Sequence, residues 1–465
     1  MDGPGDKANE LNHIGPVIYF HVFGREFVVL NTLKAAFDLF EKRSGVYSTK
    51  PRLVMAGELV ARAQTSILFL SYGARLKECR RLVHSWVNKH AVSASWPAQE
   101  AGSYKLLGAL LDDPEGFSEH IRTQAGSVIL KLTYGIECKP VNDPHIAMAE
   151  QLSKITAQAT QPGRWLCDSF PSLVHVPAWF PGAEFRRWAE QARKISTELV
   201  HIPFEIVRTS ILNGTATPSW TANEIVDEKG HVKSAEEARD LITAAGTMYS
   251  GGIDTTVGAV RTFFLMMARH PEIQRKAQAE IDSVVGHERL PDINDRDSLP
   301  YISQLITEVL RFNPIAPIVP HSLDEDDVYE GHLIPKGAWV MVNLWAILHD
   351  PNTYRDPEEF RPERFEGTKE YPAEPDCTQI SFGFGRRSCP GYHFAMSTLF
   401  YNFTHVLSAF NIEPIKDAEG KPQIPPPEFV AGHLRAPRPF KCAVVPRSLE
   451  KVKLVRQAVV AASGI

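Results

Sequence analysis

Hydrophobic and polar positions change their period along the chain, from alternation at the start to helical spacing in the middle and a mixture at the end. Residues 17–31 alternate on both sides of Gly24-Arg25, which predicts a β-hairpin. Residues 32–44 then show a helical period, with Asn31 or Thr32 as the N-cap. From about residue 75 to 315 the patterns are mostly helical, interrupted by loops rich in proline and glycine.

The longest predicted helix starts at a capping box, Ser234 with Glu237, and runs to about Arg269. Short strands follow at residues 334–343 and 440–446, and a last helix spans about 391–410. No repeat and no clear interdomain linker interrupts the sequence. The pattern therefore predicts a mainly α-helical fold with small β-sheets.

Composition narrows the class of protein. The chain has 465 residues, 43% hydrophobic and 23% charged, with a net charge of -5, which gives no sign of a nucleic-acid partner. No apolar run reaches 18 residues, and the polar N-terminus lacks a signal peptide, so the chain as given is expected to be soluble and cytoplasmic. None of the six cysteines has C-x-x-C spacing, which favours a reducing compartment.

One cysteine lies in a sequence that core packing does not require, "SFGFGRRSCPGYHFA" at residues 381–395. A helix beginning after Cys389 would stabilise a thiolate, and Gly385 and Gly391 would let the backbone approach a large flat group. Arg387 would meet an anionic group there, and Phe382 would shield the sulfur. A single thiolate argues against zinc and iron–sulfur sites and fits haem iron. The alternative is a buried structural cysteine on a glycine-rich turn.

The same five residues match F-x-x-G-x-R-x-C-x-G, so the chain resembles the cytochrome P-450 family of haem-thiolate monooxygenases. The resemblance implies a cofactor, haem b, with Cys389 as the axial iron ligand and Arg387 on a propionate. It also implies one large haem-binding domain of the P-450 fold at residues 15–447, with flexible termini at 1–14 and 448–465. The amino-acid sequences of several segments resemble those of fungal members, particularly members from basidiomycetes.

A second motif, "GGIDTT", lies inside the long predicted helix at residues 251–256. Two adjacent glycines in a helix cost roughly 1–2 kcal/mol, which close approach to a cofactor could offset. The alternative is helix–helix contact through glycine, with Asp254 in an unrelated ion pair. The stretch resembles the family's oxygen-groove motif, which implies that Gly251 and Gly252 line the groove over the haem. It further implies proton delivery by Asp254 and stabilisation of activated oxygen by Thr255.

A third motif pairs Glu308 with Arg311 in a hydrophobic helix that ends at "NP". It resembles the family's E-x-x-R, and "FRPERF" implies Arg364 as the third member of a structural charge network. Spacing alone does not separate it from three other pairs, Glu184/Arg187, Glu205/Arg208 and Glu358/Arg361.

The resemblance weakens at two places. The family often has W-x-x-x-R at a propionate; here Arg80 aligns with the arginine, but Leu76 replaces the tryptophan and cannot donate a hydrogen bond. His321 aligns with a basic position that contacts a propionate, against the alternative of a surface histidine. Microsomal members, on the cytosolic face of the endoplasmic reticulum, begin with a membrane anchor that is absent here; the chain is expected to be either trimmed or naturally soluble.

The resemblance also suggests which segments face the substrate. They are residues 55–72, Ala244, Ala245, Met248, residues 315–319 and the turn at Ala431-Gly432. They are mostly apolar or small, which predicts a lipophilic or aromatic small molecule; core packing is the alternative for each.

Electrons must come from outside, because the chain carries no flavin or dinucleotide fingerprint. The resemblance implies a separate NADPH-cytochrome P-450 reductase and a monomeric enzyme. Four basic residues are expected to steer an acidic partner, against the alternative of an ordinary solvated surface: Lys77, Arg80, Arg81 and Arg386.

The implied reaction inserts one atom of O2 into the substrate, in fungal secondary or xenobiotic metabolism. Two alternatives stay open, a non-catalytic haem sensor and a haem-thiolate isomerase or dehydratase. The pair Asp254-Thr255 argues against both.

Overall fold

Helices form most of the chain in the computed structural model, which describes residues 15–430 and 432–462. Within those residues the α-helices are α1 (Leu33–Ala36), α2 (Arg62–Thr65), α3 (Ala74–Val87), α4 (Trp96–Asp112), α5 (Phe117–Tyr134), α6 (Pro144–Ala159), α7 (Leu166–Ser169), α8 (Glu184–Leu212), α9 (Trp220–Ile225), α10 (Arg239–Arg269), α11 (Pro271–Val285), α12 (Pro300–Phe312), α13 (Leu344–Leu348), α14 (Thr378–Ser381), α15 (Tyr392–Ala409) and α16 (Leu449–Ala462). Further helical turns of π or 3-10 type are Phe37–Lys42, Val54–Leu59, Ile67–Phe69, Ala91–Ser95, Pro171–His175, Ile293–Ser298, Pro362–Phe365 and Gly385–Arg387.

Strands are short and form five small sheets within the described residues. They are β1 (Val17–Val22), β2 (Arg25–Leu30), β3 (Ile318–Ser322), β4 (Asp327–Tyr329), β5 (His332–Ile334), β6 (Trp339–Asn343), β7 (Phe410–Glu413), β8 (Ile415–Lys416), β9 (Pro422–Gln423), β10 (Phe429–Val430), β11 (Ala436–Pro437) and β12 (Ala443–Pro446). The predicted class, mainly α with small β-sheets, is confirmed.

The N-terminal hairpin is confirmed and forms one edge of the largest sheet, ordered β1-β2-β6-β3. Phe23 and Gly24 make the turn, both with positive φ, as a two-residue hairpin with right-handed strand twist requires. β2 pairs in parallel with β6, which pairs antiparallel with β3. The next helix is capped by Thr32, whose side chain accepts from the Ala35 N–H.

The central helix α10 is shorter at its start than the sequence predicts. Ser234 and Glu237 do exchange the two capping-box hydrogen bonds, but residues 235–238 form turns and the regular helix begins at Arg239. Side chains are buried on all sides of its second half, where Phe264 stacks on Phe117 of α5 and Phe263 stacks on Phe403 of α15.

The C-terminal segment differs from the expected flexible tail. Leu449–Ala462 forms α16, which packs on α4 so closely that a Cβ on Gly108 would lie 2.8 Å from Val459 Cγ2. Val455 is buried against the core, and the apolar spacing of this helix was the signal that the sequence analysis missed. Among the helices described, none is both long and apolar enough to cross a bilayer.

Candidate functional site

The loop before α15 is held in one conformation by backbone contacts. The Cys389 N–H donates to the Phe382 carbonyl at 2.7 Å. Gly385 has a φ of +50°, and a Cβ there would lie 2.4 Å from the Phe40 carbonyl oxygen, so that only glycine fits. Its N–H donates to Glu41 Oε2 at 2.7 Å. These contacts fix the position from which the cysteine side chain projects.

Cys389 is the one exposed cysteine of the six, although protein surrounds it closely enough for burial to raise the pKa of its thiol. A residue can have accessible surface and yet be surrounded by protein when it faces an enclosed space, and Cys389 has both properties. Backbone hydrogen bonding at Gly391 and the positive charge of Arg80 act in the opposite direction and lower that pKa. Because α15 begins at Tyr392, its N-terminal dipole also favours a thiolate. Phe382 packs edge-on against Tyr392, with ring centroids 5.1 Å apart.

Positive charges converge beside this cysteine without an acidic partner. Arg387 donates from Nε to the Ser48 carbonyl at 2.6 Å and from a terminal nitrogen to the Leu70 carbonyl at 2.6 Å. Burial and the nearby Arg80 lower the pKa of Arg387 to about 10. Burial and Arg387 lower the pKa of Lys50 to about 7. No ion pair engages Lys50, Arg80 or Arg387 within the described part of the chain.

His321 completes this group of basic side chains and is a buried residue, not the surface histidine of the alternative. Its Nδ1 lies 2.7 Å from the Tyr47 carbonyl oxygen, and its ring stacks on Phe40 at 4.1 Å. Burial, then Lys50 and Arg387, holds the pKa of His321 well below its usual range. Its Nε2 is buried and has no hydrogen-bond partner among the residues described.

The donor set fits the group that the sequence predicts. Four neighbouring basic side chains with an orphaned nitrogen require an anion, and the two carboxylates of a haem meet that need. Leu76 is buried in the core and contributes no donor, whereas Lys50 offers one. Lys50 was not predicted, because no local sequence pattern marks it. Over residues 15–430 and 432–462, no cluster of three or more metal-ligating side chains offers a competing site.

The "GGIDTT" motif lies on α10, as predicted, but its two glycines differ. A Cβ on Gly251 would meet nothing within 4 Å, whereas one on Gly252 would lie 3.3 Å from Ile129 of α5. Gly252 therefore packs closely against α5, as the alternative requires, and its place over the haem stays a prediction. Thr255 donates to the Gly251 carbonyl at 2.7 Å. Asp254 accepts from Arg122 at 3.0 Å, so the ion pair of the alternative is present, although Arg122 was not predicted as its partner.

The structure brings the three members of the charge network together, and all three are fully buried. Glu308 accepts from Arg311 Nε at 2.7 Å and lies 3.1 Å from Arg364 Nε. Burial lowers the pKa of Arg364, but Glu308 and Glu374 raise it by more, so the net pKa is above its ordinary value. Glu374, at 2.7 Å from Arg364, and the Leu348 carbonyl, at 2.9 Å from Arg311, are partners that the motifs do not reveal.

The predicted substrate-facing segments are less apolar than expected. Ala244 and Ala245 are fully buried, and Met248 is half-buried. Arg62 and His433 bring unpaired polar nitrogens to the same region, which corrects the apolar interpretation. Ala431 lies outside the described residues.

The predicted basic surface is also smaller than expected. Arg80 is half-buried and interacts electrostatically with Cys389, so it is not a free surface charge. Arg81 forms an ion pair with Glu78 at 2.7 Å, and Arg386 hydrogen-bonds the Tyr72 hydroxyl. Lys77 lies over the Tyr72 ring at 5.2 Å.

Comparisons with known proteins agree with this geometry. The family model described as Cytochrome P450 matches residues 5–444. Cytochrome P450 monooxygenase claR of Ampulloclitocybe clavipes is 40% identical over 447 residues, covering 95% of this chain and 82% of the relative. Tryptamine 4-monooxygenase of Psilocybe cyanescens is 38% identical over 445 residues, covering 94% and 87%. A zebra fish cytochrome P450 structure with abiraterone has a TM-score of 0.75 at 23% identity, covering 96% and 100%.

Proposed function

Since the chain belongs to the cytochrome P450 family, we propose that it is a monooxygenase that acts on a lipophilic or aromatic small molecule. The reaction is RH + O2 + NADPH + H+ giving ROH, H2O and NADP+. The family implies a haem cofactor, which we propose to be haem b, and a separate NADPH-cytochrome P450 reductase as electron donor. The observation that carries the proposal is the position of Cys389. It is the one exposed cysteine, its loop is fixed by backbone hydrogen bonds, and the basic side chains beside it form no ion pair with the described residues.

One set of residues in the site would bind the haem, and another set would transfer protons. Cys389 would ligate the iron, and Lys50, Arg80, His321 and Arg387 would hold the propionates. When bound, the haem supplies the oxygen-activating redox chemistry, which a thiolate ligand promotes. Gly251 leaves open space beside α10, and Asp254 would hold and release protons there, with the Thr255 hydroxyl as a donor.

The substrate class rests on two supports. The segments predicted to face the substrate include apolar side chains such as Met248 and Ile315. A relative 38% identical to this chain is named for the 4-monooxygenation of tryptamine, an aromatic amine. The apolar side chains favour a lipophilic substrate, and the relative's name favours an aromatic one. We propose fungal secondary or xenobiotic metabolism as the setting.

The deciding experiment is the reduced carbon-monoxide difference spectrum of the purified protein. We expect the red-shifted Soret band of a thiolate-ligated haem in the wild type and its loss in Cys389→Ala. Cys442→Ala is the matched control, because that thiol is buried and its pKa is raised by burial to about 12, so it should leave the band unchanged. A band that survives in Cys389→Ala would refute the assignment.

A further inference from the structure

Arg62 is one of the buried positive charges in the described structure that belong neither to the cysteine site nor to the Glu308 network. Arg62, at the start of α2, is 4% exposed. It forms no ion pair in the part of the chain described, and burial alone lowers its pKa, to about 10. An uncompensated buried guanidinium is among the costliest groups in a protein interior.

The neighbours of Arg62 satisfy it only in part. One terminal nitrogen donates to Thr65 Oγ1 at 3.2 Å, and the guanidinium lies 5.7 Å from the centre of the Phe69 ring. Its Nε is buried and has no partner among the described residues. Five N–H donors therefore face a single hydroxyl and an aromatic ring.

Hydrogen bonds fix the place of α2 in the fold. Thr65 Oγ1 lies 3.0 Å from Ser196 Oγ on α8. Thr243 Oγ1 on α10 donates to the Gln64 carbonyl at 3.0 Å, and the Ile67 N–H donates to Thr247 Oγ1 at 2.9 Å. Because Thr243 and Thr247 precede Gly251 at four-residue steps, α2 lies along the side of α10 that carries the oxygen-groove motif.

A second unpaired group connects Arg62 to that motif. His433, between β10 and β11, has a buried Nδ1 without a partner among the residues described. Burial lowers the pKa of His433, Asp254 raises it and Arg62 lowers it. His433 is therefore within electrostatic range of both Arg62 and Asp254, and burial favours its neutral form. The region bounded by α2, α10 and this turn carries a positive charge that the protein leaves unbalanced.

We propose that Arg62 binds a carboxylate of the substrate, with His433 as a second hydrogen-bonding group, so that the enzyme selects lipophilic acids. This proposal rests on the proposed function. It explains why a region with many apolar side chains contains a cation, because the carboxylate of the substrate would supply the missing charge when it binds.

Binding by the haem-loaded enzyme tests the proposal, read from the spin-state shift of the haem. The probes are matched pairs of similar shape, 4-phenylbutanoate with 4-phenylbutanamide and dodecanoate with dodecanamide. We expect at least one acid to bind about tenfold to a hundredfold more tightly than its amide, and Arg62→Met to abolish that preference while leaving amide affinity unchanged. The absence of any acid preference, or equal losses for acid and amide, would overturn it.

Thermal unfolding without ligand gives a second readout that a structural role would not produce. Arg62→Met removes an uncompensated charge, so its Tm should equal or exceed that of the wild type. Arg311→Met, which removes a paired arginine, should lower Tm. A lower Tm for Arg62→Met would show that Arg62 supports the fold and would refute the proposal.

Haem retention separates the remaining outcomes. If Arg62→Met loses haem as Arg387→Met is expected to do, the anion that Arg62 meets is a propionate and the proposal fails. If the wild type lacks the thiolate Soret band, the proposed function fails. The increase in Tm on adding the carboxylic acid probes, compared between wild type and Arg62→Met, then still tests whether Arg62 binds a carboxylate.

Discussion

At the residue scale, Asp254 and Arg122 form a partly buried pair beside open space at Gly251. Each side chain is 17% exposed, so the carboxylate is close enough to solvent to exchange protons yet is held by one guanidinium. A carboxylate in this position can accept a proton and release it toward Thr255, which donates its own hydroxyl hydrogen to the Gly251 carbonyl.

The side chain of Asp254 should therefore matter for turnover more than for folding. Asp254→Asn should slow product formation about a hundredfold and raise the solvent isotope effect, because the amide cannot transfer protons. The reduced carbon-monoxide spectrum should not change. Arg122→Gln keeps the carboxylate and should retain turnover within a few fold. Wild-type turnover in Asp254→Asn would show that Asp254 does not deliver the protons of the reaction.

At the element scale, the buried network joins α12 to Pro362–Phe365 and to the segment around Glu374. Glu308 is the carboxylate partner of Arg311, and it shares Arg364 with Glu374. Glu308→Gln should lower the free energy of unfolding by about 3–5 kcal/mol, because it leaves buried charge uncompensated. Urea denaturation monitored by circular dichroism measures the change.

An exposed pair with the same spacing is the matched control for this prediction. Glu205 and Arg208 lie 3.3 Å apart on α8, with both side chains partly exposed to water. Glu205→Gln should change the free energy of unfolding by less than about 0.5 kcal/mol. Equal effects of the two substitutions would show that burial does not decide the strength of an E-x-x-R pair here.

Sequence patterns predicted the elements and motifs better than the partners between them. The hairpin, the long α10 and the spacing of Glu308 with Arg311 are local, and periodicity or spacing reports them directly. Lys50 and Glu374 lie outside regular elements and Arg122 lies on α5, and only the fold brings the three to their partners. Gly252 shows the same limit, because the motif cannot tell which side of the helix meets Ile129.

At the scale of the whole molecule, His405 links three parts of the fold. It lies on α15, with Nδ1 3.0 Å from Ser103 Oγ on α4 and Nε2 2.7 Å from the Pro291 carbonyl oxygen. Burial lowers its pKa to about 4, although the Pro291 carbonyl acts in the opposite direction. The folded protein therefore holds His405 neutral at pH values where the unfolded chain is protonated.

This difference predicts acid sensitivity with a defined sign. Between about pH 6.5 and 4 the unfolded state binds the extra proton, so stability falls as pH falls, by up to about 3 kcal/mol over the window. His405→Asn should flatten the pH profile of the free energy of unfolding relative to the wild type. His332→Gln, at an exposed residue, should leave the slope unchanged. Buried His321 should leave part of the slope in His405→Asn, and a slope equal to that of the wild type would contradict the prediction.

The parallel pairing of β2 with β6 has a consequence for biosynthesis. The edge of β2 at Phe27–Leu30 stays without hydrogen-bonding partners until the ribosome has synthesised its partner strand at Trp339–Val342. At roughly 5–20 residues per second, translation leaves that edge open for tens of seconds. A nascent chain in this condition offers a template for intermolecular strand addition, so holdase chaperones should raise the soluble yield most when they act before the ribosome reaches β6.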